Sequence, residues 1–214
     1  MKPSYWDDAT RALGKRDPVL RRLIRAYPGI HLKRRSDGFT TLARAIVGQQ
    51  ISVKAADTIW RRFVATVQSG EKPVAFPRID PLAVLETDIA PLRVCGLSQR
   101  KAEYVRDLAS HFVSGALDPK RWKKLDDEAL ISALVEVKGI GRWTAEMFLI
   151  FHELRADVLP VDDIGLQKAI AQHYNGGGRL LAAEMRELAR QWQPYRSVAT
   201  WYLWRSLDPL PVEY

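Results

Sequence analysis

The chain has 214 residues, enough to bury a core as one domain or two small lobes, and its formal charge of +8 points to a polyanionic partner, because clustered Lys and Arg bind phosphates by releasing counterions. Its one cysteine, Cys95, excludes an internal disulfide and a cysteine-ligated zinc or iron–sulfur site within one chain. It has no run near the roughly 20 apolar residues of a membrane span, no secretory-type apolar start and no glycine-rich loop ending in Lys-Ser or Lys-Thr, so a soluble, unsecreted protein with no membrane and no nucleotide cofactor is expected.

Apolar residues recur at helical spacing along almost the whole chain. Leu42, Ile46 and Val47 open the series, followed by Ala56, Ile59, Trp60 and Phe63, and later by Ala145, Phe148, Leu149 and His152. No run alternates as a strand. Breaks are expected at Tyr27 to Gly29, Gly48 to Ser52, Ser69 to Pro77, Asp118 to Pro119, Pro160 to Asp163 and Asn175 to Gly178. The pattern predicts an all-α protein of nine or ten helices. One lobe is expected over about residues 40–155, and the other from the N-terminal helices together with about residues 160–214.

The first informative break is Gly48, Gln49, Gln50, Ile51, Ser52 between two apolar helices. It reads either as a polar linker capped by Ser52 or as a loop whose tip enters a DNA stack in place of an extruded base, with Gln50 or Ile51 as the wedge. Further on, residues 94–103 echo residues 137–146 at an offset of 43, with Gly96 matching Gly139 and Ser98 matching Gly141. Without a second glycine, the first copy should approach a phosphate less closely, or serve only as a packing element.

The second copy carries Lys138, Gly139, Ile140, Gly141 and Arg142, and a helix opens at Arg142. It reads either as a plain turn between helices or as a phosphate cradle, in which the amides of Gly139 and Gly141, the helix N-terminus near Thr144, and the cations of Lys138 and Arg142 converge. Twenty residues past Trp143 lies Asp163, after Pro160 and before a helix expected from about Ile164. Asp163 is either an N-cap or a carboxylate held for chemistry, and Asp162 is an equally good cap on sequence grounds. Trp143, Trp201 and Trp204 read either as core or as stacking surfaces; an indole face attracts a cationic ring by about 0.5–2 kcal/mol. His31, His111, His152 and His173 show no metal-ligand spacing, and Cys95 has no evident base partner.

Four segments together, Ala45–Ala56, Gly139–Ala145, Leu159–Asp163 and Tyr195–Trp204, resemble the helix–hairpin–helix DNA glycosylase superfamily, and within it the 3-methyladenine DNA glycosylase II family; the resemblance spans roughly Asp17 to Trp204. It implies a two-lobed helical fold with a helix–hairpin–helix motif, acting on double-stranded DNA with damaged bases. The family's catalytic aspartate falls on Asp163, its base-pocket aromatics on Trp143 and Trp204, and its wedge on the loop at Gln50. Hairpin carbonyls that hold Na+ or K+ in the family would here be those of Val135, Val137 and Gly139. Bifunctional relatives carry a lysine where Trp143 stands, so the resemblance implies base removal without strand cleavage. Cluster-containing relatives need four cysteines, which are absent, and the roughly 40 residues before Thr40 are too few for the extra β-domain of some members, implying a compact form.

The expected activity is hydrolysis of the N-glycosidic bond of flipped 3-methyladenine and 7-methylguanine, with no catalytic cofactor, by a monomer in the bacterial cytoplasm or the eukaryotic nucleus. The alternatives are a glycosylase for deaminated or mismatched bases and a non-catalytic hairpin protein that only binds DNA.

Overall fold

The structure is a computed structural model, and it describes residues 2–34, 36–68 and 77–207. Among the described residues there are thirteen α-helices, one short 3-10 segment and no strand. The expected all-α architecture holds, with more helices than the nine or ten predicted. The extra ones are short: Pro81–Glu86, Ile89–Val94, Pro119–Trp122 and Ala182–Leu188. Segments of four to seven residues hold fewer than two full turns, too few for a 3.6-residue period to show. At Asp118 and Pro119 the expected break is instead a helix start: the Asp118 carboxylate accepts from Lys120 N at 2.9 Å, and Pro119 takes the first helical position, where a missing N–H costs nothing. The break expected at Ser69 to Pro77 lies outside the described residues apart from Pro77.

The chain forms two compact units, one from residues 1–34 and 149–214 and one from residues 35–148. The middle unit contains α3 (Gly38–Gly48), α4 (Val53–Val67), α5 (Pro81–Glu86), α6 (Ile89–Val94), α7 (Gln99–Val113), α8 (Pro119–Trp122), α9 (Asp127–Val135) and most of α10 (Arg142–Phe151). Helix α3 buries Phe39, Leu42, Ala43, Ile46 and Val47, an i, i+3, i+4, i+7, i+8 stripe that packs on α4 and α7. Each large member contributes about 1.5–3 kcal/mol by leaving water. Trp122 fixes the short α8 to this core, with its ring edge-on to Phe112 at 5.9 Å and to Phe148 at 5.2 Å.

The other unit contains α1 (Trp6–Arg16), α2 (Pro18–Ala26), α11 (Ile164–Tyr174), α12 (Ala182–Leu188), a 3-10 turn (Ala189–Trp192) and α13 (Arg196–Leu207). Residues 197–203 of α13 are all buried, and the helix packs against α1, α2 and α11. A buried carboxylate joins three elements here. Asp17, 1% exposed, caps α2 through Val19 N at 2.8 Å and Leu20 N at 3.1 Å, and also accepts from Tyr174 Oη and Trp192 Nε1, both at 2.8 Å. Four donors on one carboxylate offset the cost of burying its charge. Among the described residues no helix is long and apolar enough to cross a membrane.

Candidate active site and nucleic-acid hairpin

The carboxylate and the hairpin belong to different units, and each is built locally. In the terminal unit, Asp163 is the N-cap of α11 and is 8% exposed, whereas Asp162 is exposed, so the structure settles which aspartate caps the helix. Asp163 Oδ1 accepts from Leu166 N at 2.6 Å and from the indole Nε1 of Trp204 at 2.7 Å. The Trp204 ring stacks on Phe151, with centroids 5.6 Å apart and planes 10° apart, and Phe151 meets Trp201 edge-on at 6.3 Å. Trp201 is core, 7% exposed, and the buried Arg205 guanidinium lies 4.5 Å from its ring. Two contacts of different origin therefore meet on one atom of Asp163: the capping amide of Leu166 and a side chain from forty-one residues away both reach Oδ1.

In the middle unit, α9 ends at Val135, Val137 and Ile140 are buried, and Ile140 N donates to Val137 O at 3.1 Å. These apolar anchors leave Lys138, Gly141 and Arg142 on the surface. Gly139 takes φ +84, a left-handed value that glycine adopts without cost. A Cβ at Gly139 would collide with the Tyr104 ring, whereas one at Gly141 would meet open space. Gly141 thus has open space where its side chain would be, whereas the need for glycine at 139 comes from its turn and Tyr104. The Gly141 carbonyl accepts from Ala145 N at 3.0 Å and starts α10, so the first amides of that helix point out of its N-terminus.

The cations differ in availability. Arg142 is engaged by carboxylates, donating to both oxygens of Glu128 and to Glu146 Oε1 at 3.1 Å, and Glu128 holds its guanidinium charge more firmly still, raising its pKa. The same contact lowers the Glu128 carboxyl below its usual range. Lys138 is exposed, with Nζ 3.8 Å from Asp107 and its backbone N–H donated to Asp107 Oδ2 at 2.9 Å. Thr144 is 8% exposed, and Trp143 is 39% exposed and outside the core.

The loop after α3 is tied to both hairpins. Gln49 Nε2 donates to Gly139 O at 2.8 Å, and Lys101, from the helix of the first hairpin, donates through Nζ to Val47 O at 2.8 Å and Gln49 O at 2.7 Å. Burial of its stem lowers the Lys101 pKa. At the tip, Gln50 is exposed with φ 58, a strained value for a residue that is not glycine, and Ile51 is 37% exposed. Ser52 caps α4 through Ala55 N at 3.3 Å. The echo between the hairpins is structural too: Gly96 is left-handed at φ +112, and Ser98 O accepts from Ala102 N as Gly141 O does from Ala145 N. Reading the sequence missed Gln49, Lys101, Tyr104, Phe151 and Gly165, whose partners are distant along the chain.

Residues 43–194 match the family described as HhH-GPD superfamily base excision DNA repair protein. The DNA-3-methyladenine glycosylase 1 of Schizosaccharomyces pombe is 33% identical over 190 residues, which take in 86% of this chain and 79% of that protein. A solved structure of a 3-methyladenine DNA glycosylase from the same yeast, in complex with abasic DNA, aligns with a TM-score of 0.79 at 29% identity, covering 97% of this chain and 99% of that one. The crystal structure of a DNA-3-methyladenine glycosidase from Bacillus halodurans aligns with a TM-score of 0.83 at 32% identity, covering 94% and 89%.

Proposed function

The chain belongs to the HhH-GPD superfamily of base excision DNA repair proteins, and from that premise we propose that it is a DNA glycosylase removing alkylated purines, above all 3-methyladenine and 7-methylguanine, from duplex DNA. The observation that carries this reading is the buried Asp163 carboxylate, held at Oδ1 by the Leu166 amide and the Trp204 indole.

The chemistry follows from the leaving group. A purine methylated at its 3- or 7-position is already cationic, so its glycosidic bond breaks with the electron pair passing to the base and no general acid is needed. That differs from ordinary glycoside hydrolysis, which uses two carboxylates. The sugar becomes oxocarbenium-like, and one fixed negative charge at Asp163 stabilises it. Water then adds to the anomeric carbon and passes its proton to solvent, while the alkylated base departs neutral with the electron pair of the broken bond. Trp143 and Trp204 are the aromatics assigned to the flipped cationic base, each indole face contributing about 0.5–2 kcal/mol. Trp143 carries no amine for a Schiff base, so strands stay intact. Catalysis uses no cofactor.

The duplex is assigned to the hairpin through the amides of Gly139 and Gly141, the α10 N-terminus at Thr144, and Lys138, with Arg142 joining when phosphate competes for it against Glu128. Gln50 and Ile51 are the assigned wedge. A structural Na+ or K+ would be held by the carbonyls of Val135, Val137 and Gly139. Ile140 N and Gln49 Nε2 each occupy one lone pair on Val137 O and Gly139 O, leaving a second for a cation.

The test is to incubate wild-type and Asp163→Asn protein with methylated duplex DNA, quantify released bases by chromatography and check the strands. Asparagine still caps a helix, so the variant should fold while base release falls at least about 100-fold. Free base from wild type alone, with intact strands, is expected. Equal release by the variant would overturn the assignment of Asp163, and tight DNA binding with no release by wild type would overturn the activity.

A further inference from the structure

We propose that Gly165 is a positioning residue for the reaction: by carrying no side chain it lets the Trp204 indole N–H reach Asp163 Oδ1, and that hydrogen bond fixes the carboxylate in its working orientation. This rests on the catalytic reading of Asp163 given above.

Gly165 lies in the first turn of α11, two residues past Asp163. Its φ is not left-handed, so the backbone does not demand glycine there. The surroundings do. A Cβ at 165 would stand 3.1 Å from Asp163 Oδ1, 3.2 Å from Trp204 Cδ1 and 3.3 Å from Trp204 Nε1. All three atoms belong to one hydrogen-bonded pair, and all lie closer than the roughly 3.5–4.0 Å at which carbon contacts are most favourable. None of the three atoms is the end of a flexible chain. Asp163 Oδ1 is held on one side by the Leu166 amide at 2.6 Å, and the indole plane is held by stacking on Phe151. A methyl group at 165 therefore requires Asp163 Oδ1 or the Trp204 indole to give way by a few tenths of an ångström, which displaces one or both members of a pair 2.7 Å apart.

The consequence is orientational. The indole is a side-chain donor added to the backbone amide on the same oxygen, and two donors of independent origin hold that oxygen more firmly than the amide does. In a reaction whose only catalytic charge is this carboxylate, misplacement by about 1 Å costs on the order of 100-fold in rate. Trp204 thus acts with its edge as well as its face: the N–H positions Asp163 while the ring is held flat on Phe151.

Glycine is also a poor helix residue, and alanine at an interior helical position is ordinarily an improvement. In Gly165→Ala the helix-propensity gain and the cost of crowding the pair oppose each other in Tm, so what marks a positioning role is a rate loss in fully folded protein that shrinks once the Trp204 N–H is absent. The experiment measures single-turnover base release from methylated duplex, affinity for abasic duplex, and Tm for wild type, Asp163→Asn, Gly165→Ala, Trp204→Phe and the Gly165→Ala/Trp204→Phe double variant. Gly165→Ala is expected to release base about 3- to 10-fold more slowly, the shift being a few tenths of an ångström, with DNA affinity within about twofold of wild type and the protein fully folded at the assay temperature. Trp204→Phe keeps an aromatic face but has no N–H, so it should be slowed as well. The methyl group should slow the Trp204→Phe background by less than it slows wild type, because the hydrogen bond is already gone and only the contact with Asp163 Oδ1 remains. Wild-type rates in Gly165→Ala, additive losses in the double variant, or a loss that follows a lowered Tm would each overturn the proposal. An Asp163→Asn protein as active as wild type would instead remove the catalytic reading on which it rests, and the two failures are thereby distinguished.

Discussion

The Tyr104 ring occupies the place where a side chain on Gly139 would begin: a Cβ there would overlap its Cδ2 and stand 2.7 Å from Cγ and Cε2. The hairpin is held by this fit as much as by its own turn.

Gly139→Ala should therefore unfold the hairpin locally, lowering Tm and weakening duplex binding together. Pairing it with Tyr104→Ala should restore only part of the loss, since the left-handed φ of +84 remains unfavourable for alanine. Gly141→Ala meets open space and should keep wild-type Tm while weakening DNA binding. Thermal melts alongside affinity measurements separate the two glycines; equal Tm losses at both positions would refute the distinction.

Glu128 holds Arg142, the cation proposed for a DNA phosphate. The pair is exposed, with side chains 69% and 51% accessible, so it adds little stability. Its effect lies in binding: Glu128→Gln should release the guanidinium toward phosphate, tighten duplex binding and steepen the slope of log affinity against log salt by up to about 0.9, one released counterion. Titrations at several salt concentrations read this directly, and an unchanged slope would show that Arg142 does not reach phosphate.

Alkaline pH should weaken the terminal unit. Burial raises Tyr5, which donates to Leu154 O at 2.7 Å, to about 12, and burial with the neighbouring Asp17 charge raises Tyr174 further. Groups with a raised folded pKa contribute fully below the unfolded value near 10 and lose that contribution as pH climbs through the folded one. Stability of the wild type is expected to hold to about pH 9 and fall between about pH 10 and 12. Tyr5→Phe should show a shallower fall across that window in urea melts, and an identical fall would exclude the tyrosine.

What was legible in the sequence was whatever lies within a few turns of chain. The α3 stripe, the hairpin spacing, the N-cap at Asp163 and the Ser52 cap are local patterns, and the structure places each of them as read. What was not legible depends on pairs brought together by the fold. Nothing near Gly165 in sequence announces Trp204; nothing near Gly139 announces Tyr104 or Gln49; and Arg142, which reads as a ready cation, is occupied by a glutamate fourteen residues earlier. Charge, size and spacing fix candidates, but availability is a property of the packed state.

The loop at Gln49 is fastened twice, by Lys101 to its own carbonyls and by its side-chain amide to Gly139. Its tip is therefore not a tentacle but a stylus, braced on the hairpin proposed to hold the DNA backbone. Pressing such a stylus against a helix tests mechanical compliance: a sound base pair pushes back, and a weakened one yields. The protein would then find damage by feel before any chemistry begins, with the left-handed backbone of Gln50 at the point of the proposed wedge.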